Sequence, residues 1–357
     1  MSRFTVLMRT CCSSTFLSGS NPESGSDLLT YGRTGNSTLV FLLALTGIAN
    51  TSPVYAEWYS DIQEKMGTRI EIQLWSEDAE QAVDLLAQGM EEFDRIEELM
   101  STYIADSEMS RINRLAAVEP QLVTPELFTL LKKSQEITVL TDGAFDITFD
   151  SVGQFYDFRQ RQRPDAVQIS EHLDRIDYRH VVLDDEMLTV SFKTEGVRIN
   201  LGGIAKGHAV EKVIELLAAA GVEHALATAG GDTRILGQRY DKPWVVGIRD
   251  PNDENAIFTR MALVDEAIST SGDYERFFLE DGVRYHHILS PADGRPVRGV
   301  RSVSVIGPSA TVTDGLSTSL FVMGPEKGME LIGRLPDYEA LIVTDGEFFY
   351  SEGLSSD

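Results

Sequence analysis

The chain has 357 residues, 42% of them hydrophobic and 24% charged, a composition that excludes a disordered or fibrous chain and allows one large or two closely joined globular domains. Lys and Arg total 31 against 56 Asp and Glu, a formal net charge of −25. Nucleic acid is therefore repelled over most of the surface, and a phosphate-bearing ligand needs a local device such as a metal ion, a lysine or backbone N–H groups.

In chain order, an apolar run from Leu39 to Ile48 precedes Pro53 and a small-residue pattern, Val54-Tyr55-Ala56, suited to cleavage before Glu57. With Arg3, Arg9 and Arg33 ahead of it, segment 1–56 reads as a signal peptide with a long n-region. The expected location is exported and periplasmic, with an uncleaved inner-membrane anchor as the alternative. Cys11 and Cys12 are the only cysteines and fall in this segment, so residues 57–357 have no disulfide framework or thiolate metal site. None of the six histidines forms an H-E-x-x-H pattern, which speaks against a zinc hydrolase.

Ile70, Ile72 and Leu74 alternate with polar neighbours and predict a strand over Thr68 to Trp75. Val83, Leu86, Met90, Phe93, Ile96 and Met100 recur at three and four, predicting a helix from about Asp78 to Met100. Thr124 followed by Pro125 reads as the cap and first position of a second helix. Val197 to Asn200 reads as a short strand running into Gly202-Gly203 and a helix to about Ala220, closed by Gly221. Further strands are expected at Ala225–Ala227, Trp244–Ile248, Arg284–Leu289 and Ser302–Ile306, then a helix over Thr313 to Met323. A final hairpin turns at Asp345-Gly346 in the manner of a type I′ turn. Helices and strands mix without strict alternation, so the fold class is α+β in a single unit over 57–357.

Four stretches are richer in glycine, small polar and acidic residues than packing requires. Thr141-Asp142-Gly143-Ala144-Phe145-Asp146-Ile147-Thr148 carries two carboxylates on a turn, and by itself is also an ordinary Asp-Gly turn. Asn200-Leu201-Gly202-Gly203-Ile204-Ala205-Lys206-Gly207 offers free N–H groups and a lysine at a helix start, yet tight packing explains its glycines as well. It matches neither the dinucleotide nor the P-loop pattern.

The third stretch joins Ser269-Thr270-Ser271-Gly272-Asp273-Tyr274-Glu275-Arg276 to Tyr285-His286-His287-Ile288-Leu289-Ser290-Pro291. Adjacent histidines on a strand face opposite ways, so one of the pair can act as a proton acceptor; a polar edge strand is the plainer reading. In Thr313-Asp314-Gly315-Leu316-Ser317-Thr318, Asp314 and Thr318 share a helix face and can converge on a hard cation such as Mg²⁺, or Asp314 can be a simple helix cap.

Taken together and in this order, from Met66-Gly67-Thr68 to Gly324, these motifs resemble the ApbE family of FAD:protein FMN transferases. The resemblance implies FAD contacts at Met66, at Tyr103 with Ser107, Glu108 and Asn113 downstream, at Ala144, Phe145 and Asp146, and at Asn200, Lys206 and Ile288. It implies Mg²⁺ held by the Gly203 carbonyl, Asp314 and Thr318, with Ser317 adjacent, and His287 as the base. Four positions depart from the family's pattern: Asn200 for aspartate, His208 for tyrosine, Ser290 for aspartate and Asp293 for threonine.

The implied reaction is Mg²⁺-dependent transfer of FMN from FAD to a Thr or Ser of an acceptor protein, with release of AMP. The implied acceptors carry a motif near Asp-Gly-x-Thr/Ser-Gly-Ala-Thr, in membrane redox complexes such as sodium-pumping NADH:quinone oxidoreductases and Rnf. Asp314-Gly315-Leu316-Ser317-Thr318 begins like that motif but lacks its end, so self-modification is not expected. The competing readings are an FAD pyrophosphatase and a non-catalytic FAD-binding protein.

Overall fold

Ile70, Ile72 and Leu74 are fully buried on one face of a strand, Thr68–Ser76, as their alternation requires. The computed structural model of the chain describes residues 57–251 and 253–354, so the export segment read at 1–56 lies outside the described residues. Thr68–Ser76 pairs antiparallel with Glu57–Lys65, a strand the sequence reading missed. Met66 and Gly67 join the two with φ of 52° and 69°, the left-handed geometry that a two-residue hairpin turn needs.

These strands open an eight-stranded sheet whose spatial order follows the chain: Glu57–Lys65, Thr68–Ser76, Ala225–Ala229, Asp232–Leu236, Ala267–Gly272, Val300–Gly307, Glu339–Thr344 and Phe348–Tyr350. Every neighbouring pair is antiparallel, and the long excursions between strands return to the next position in line.

Three long helices lie against the sheet, Ala79–Met100, Ala205–Ala219 and Ala310–Ile332, and the middle one packs on both of the others. A hairpin of Trp244–Asp250 and Asp253–Leu263 builds a separate core, with Trp244, Ile248, Met261 and Leu263 packed on Ile235, Ile268, Ile306, Leu341 and Val343. The fold is α+β. No helix among the described residues is long and apolar enough to cross a membrane.

Several local expectations change. Val83 is 60% exposed, and Ala82, Leu85 and Gly89 share the buried face with Leu86 and Met90 instead. Val197 to Asn200 joins no sheet, because side chains take its backbone groups. Asn113 brackets Ile199, donating to its C=O at 2.9 Å and accepting its N–H at 2.8 Å, and Ser151 Oγ accepts from Arg198 N–H at 3.0 Å.

The strand expected over Arg284–Leu289 is Val283–His286 and stops before His287. The last long helix begins at Ala310, with Ser309 as the cap, and is kinked where Gly324 precedes Pro325. In the final hairpin neither Asp345 nor Gly346 has positive φ, so the turn is not type I′. The Thr344 hydroxyl ties it by donating to the Glu347 C=O and accepting its N–H, both at 3.2 Å.

Candidate functional site

Two glycine turns meet at one end of the sheet. Gly230 N–H donates to the Arg69 carbonyl at 3.0 Å, which sets the turn after Ala229 beside the turn at Met66-Gly67. Thr270 N–H donates to the Gly231 carbonyl at 2.9 Å, and its strand ends at Ser271-Gly272 on the same edge. A side chain at Gly231 would strike the Thr270 carbonyl oxygen at 2.5 Å, so glycine is what lets these strands close up.

Ile204 stands at the capping position of Ala205–Ala219, so no residue of its own N-terminus caps the first turn. Lys206 Nζ forms an ion pair with Asp232, just past the Gly230-Gly231 turn, and lies 3.7 Å from Asp314 Oδ2. Asp314 sits in the second turn of Ala310–Ile332, only 2% exposed, and accepts the Gly207 N–H at 2.9 Å. The helix begins a turn earlier than the sequence suggests, so Asp314 is not its cap.

Ser271 Oγ lies 2.8 Å from Ser317 Oγ and 3.3 Å from Thr318 Oγ1. A Cβ on Gly203 would come within 3.1 Å of Thr318 Oγ1 and 3.2 Å of the Phe145 ring, so the Gly203 backbone faces Thr318 directly. The Asp314 carboxylate and the Thr318 hydroxyl stand one turn apart on the same helix, with Gly203 packed against Thr318. Both are hard oxygen donors, the type that suits Mg²⁺, and only one is charged.

The charges are closely coupled. Burial holds the Asp314 carboxyl above the usual carboxylate range, and the Asp232 carboxylate pushes in the same direction. Burial alone would lower the Lys206 ammonium, but Asp232 and Asp314 outweigh it and raise its pKa.

His287 follows the strand end, and its N–H donates to the Arg276 carbonyl at 3.2 Å. Its Nδ1 is buried without a hydrogen-bond partner among the described residues. Burial first, then the charges of Arg276, His286 and Lys206, lower its pKa to about 3, so the imidazole is neutral. His286 is buried differently, edge-on to Phe321 with Nε2 2.7 Å from the Val297 carbonyl.

The other expected ligand positions are held by contacts of their own. Met66 is half-buried, with its N–H donating to Glu97 at 2.8 Å, and Ala144 is half-buried on its turn. Tyr103 is 87% exposed after the first long helix. Phe145 is buried against Gly203. Asp146 has both carboxylate oxygens engaged, one by Thr148 and the other by the Tyr178 N–H at 2.8 Å. Ile288 is packed in the core with Val300, Leu316 and Phe321.

Asn200 accepts the Gly202 N–H at 2.8 Å and donates weakly towards Thr102 and Asp150. Downstream of Tyr103, Ser107 caps the helix Glu108–Leu115, Glu108 accepts the Thr124 N–H at 3.0 Å, and Asn113 holds Ile199. These three shape the loop around the site.

Sequence reasoning missed Asp232 and gave no role to Ser271 or Arg276, although both stood in a stretch singled out above. The signal for Asp232 was Ala229-Gly230-Gly231-Asp232, a second glycine pair followed by an acid, but only the sheet brings it to Lys206.

The ApbE family's sequence profile matches residues 66–342. An FAD:protein FMN transferase of Vibrio cholerae is 36% identical over 244 residues, covering 66% of this chain and 72% of its own length. One of Treponema pallidum is 32% identical over 309 residues, covering 80% of this chain and 84% of its own. The crystal structure of the ApbE protein of Thermotoga maritima is 34% identical and superposes with a TM-score of 0.77, over 83% of this chain and 97% of that one.

Proposed function

The chain belongs to the ApbE family, and on that premise we propose that it works as an FAD:protein FMN transferase with Mg²⁺ at the Gly203, Asp314 and Thr318 oxygens. It is an enzyme of the transferase class, with FAD as the FMN donor. The observation that carries the site assignment is the meeting of Lys206, Asp232, Asp314 and the Ser271–Ser317–Thr318 hydroxyls at one sheet edge. A bound Mg²⁺ supplies positive charge that offsets the pyrophosphate as its P–O bond weakens.

The chain's own residues do the rest. Lys206, fixed by two carboxylates, holds its ammonium beside Asp314 at the start of Ala205–Ala219. The neutral His287 imidazole takes the proton of an incoming Ser or Thr hydroxyl. A bond forms from that oxygen to the FMN-side phosphorus, the bond to the bridging oxygen breaks, and AMP leaves with the electron pair. The acceptor is a protein presenting an Asp-Gly-x-Thr/Ser-Gly-Ala-Thr-like segment, and the signal-like segment 1–56 supports action outside the cytoplasm.

The test is incubation with FAD, Mg²⁺ and a peptide carrying that segment, read by intact mass. A peptide gaining the mass of FMN supports the reading. Free FMN and AMP without a modified peptide replaces it with a pyrophosphatase, and unchanged FAD replaces it with a carrier.

A further inference from the structure

The cation that this site has to spare is not Lys206. One ammonium there answers two carboxylates, Asp232 and Asp314, so its charge is already balanced within the protein. In a chain of net charge −25, a pyrophosphate entering that edge gains from a positive side chain besides the proposed Mg²⁺.

Arg276 is such a side chain. Its guanidinium has no hydrogen bond or ion pair among the described residues, although Glu275 beside it pairs with Arg249. Its Nη2 lies 3.0 Å from where a side chain at Gly67 would begin, so it lies over the Met66-Gly67 turn in space that only glycine leaves open. Its backbone carbonyl holds the His287 N–H at 3.2 Å. Its charge bears on both His287 and Lys206. The side chain is exposed, free to swing onto a ligand.

We infer that Arg276 is a substrate-contacting residue, its guanidinium closing over the Gly67 turn onto the FAD pyrophosphate as the uncompensated cation of the site. This rests on FAD being the substrate. A planar fork of donors suits two phosphate oxygens at once, which an ammonium does not match. Gly67 then has two duties, the left-handed turn and clearance for the arginine.

The experiment titrates FAD and riboflavin, which lacks phosphate, into the full chain and into Arg276→Ala and Arg276→Lys, and measures FMN transfer in the same preparations. Arg276→Ala should lose about 10- to 100-fold in FAD affinity, the scale of a hydrogen bond to a charged group, with riboflavin affinity unchanged. Arg276→Lys should recover part of the loss. Unchanged FAD affinity in Arg276→Ala, or an equal loss for riboflavin, overturns the assignment. A parent that binds FAD more tightly than riboflavin but transfers nothing removes the transferase reading instead, and the two titrations still decide Arg276.

Discussion

The carboxylate of Asp314 accepts the backbone N–H of Gly207 at 2.9 Å, so the second turn of one long helix caps the first turn of another. The contact is possible only because residue 207 lacks a side chain: a Cβ there would lie 2.2 Å from the Ala310 carbonyl oxygen and 2.6 Å from Asp314 Cβ. Backbone cannot step aside as a flexible side chain can. Gly207→Ala should therefore cost about 3 kcal/mol, the upper end of overpacking, measured by denaturant unfolding. A loss below about 1 kcal/mol would mean that the two helices separate easily.

Asp314 itself is buried and carries that backbone bond, so its removal cannot leave the fold untouched, as a solvent-exposed helix start would allow. Asp314→Asn is the informative change, because the amide oxygen can still accept from Gly207 while the carboxylate charge is gone. The expected result is a thermal midpoint near the parent's with Mg²⁺-dependent transfer down by about 10²- to 10³-fold. Parent-like rates across a Mg²⁺ titration would sink the metal assignment.

The contrast shows what the sequence makes legible. The strand Thr68–Ser76 and the helix Ala79–Met100 were readable because each buries one face and exposes the other. The strand Glu57–Lys65 was not, since as an edge strand it has no fully buried residue, and its half-buried face carries Asp61, Gln63 and Lys65 while Ile62 is exposed. Asp314 can pass for a helix cap in the sequence, and only the helix start at Ser309 and the bond to Gly207 show that it is not one. Lys206, Asp314 and Thr318 stand in local motifs that mark them as candidates, and family resemblance chose His287 over His286. Asp232 and Arg276 take their places from strand order and loop closure, which no local window contains.

The two adjacent histidines should fail in different ways. His287→Ala should slow transfer by about 10²- to 10⁴-fold while FAD affinity holds, as expected for loss of a general base. His286→Ala leaves the Val297 carbonyl without its partner and should cost about 1–3 kcal/mol of stability instead. With its pKa lowered to about 3, by burial first and then by Arg276, the His287 imidazole of the free protein should stay neutral from pH 7 down to about 4 in an NMR titration. Protonation near pH 6.5 would remove the electrostatic account of that site.

Acid stability should depend on Glu126, which lies 2.9 Å from His208 Nε2 and 2.7 Å from Arg95. His208 first, and Arg95 after it, hold the Glu126 carboxyl at about 2, below its ordinary 4.5. A folded pKa below the unfolded one gives stability that is complete above about 4.5 and is lost as pH falls towards about 2. Glu126→Gln should flatten the fall in thermal midpoint across that window relative to the parent. An identical acid slope in both proteins would show that the His208–Glu126–Arg95 cluster contributes nothing there.

Asn200 stands where aspartate is the expected residue, and its surroundings explain the amide. Its oxygen accepts the Gly202 N–H at 2.8 Å, and its nitrogen lies 3.3 Å from Asp150 Oδ1 and 3.4 Å from Thr102 Oγ1. Asp150 is buried and paired with Arg198, and burial already raises its carboxyl above the usual range. Asn200→Asp replaces a donor facing that carboxylate with a second acceptor, so one of the two acids must take a proton or both must share Arg198. The expected cost is about 1–3 kcal/mol of stability at neutral pH, easing as pH falls and one carboxyl is protonated. Asn200→Leu should lose a similar amount, because the Gly202 N–H is left without its acceptor at the turn that leads to Gly203. The decisive variant is the exchange Asp150→Asn with Asn200→Asp, which restores one amide and one carboxylate to the pair. If the exchange recovers most of the loss seen in Asn200→Asp alone, the amide is there to suit Asp150. If it is no more stable than the single change, the contact between the two side chains is not what selects asparagine.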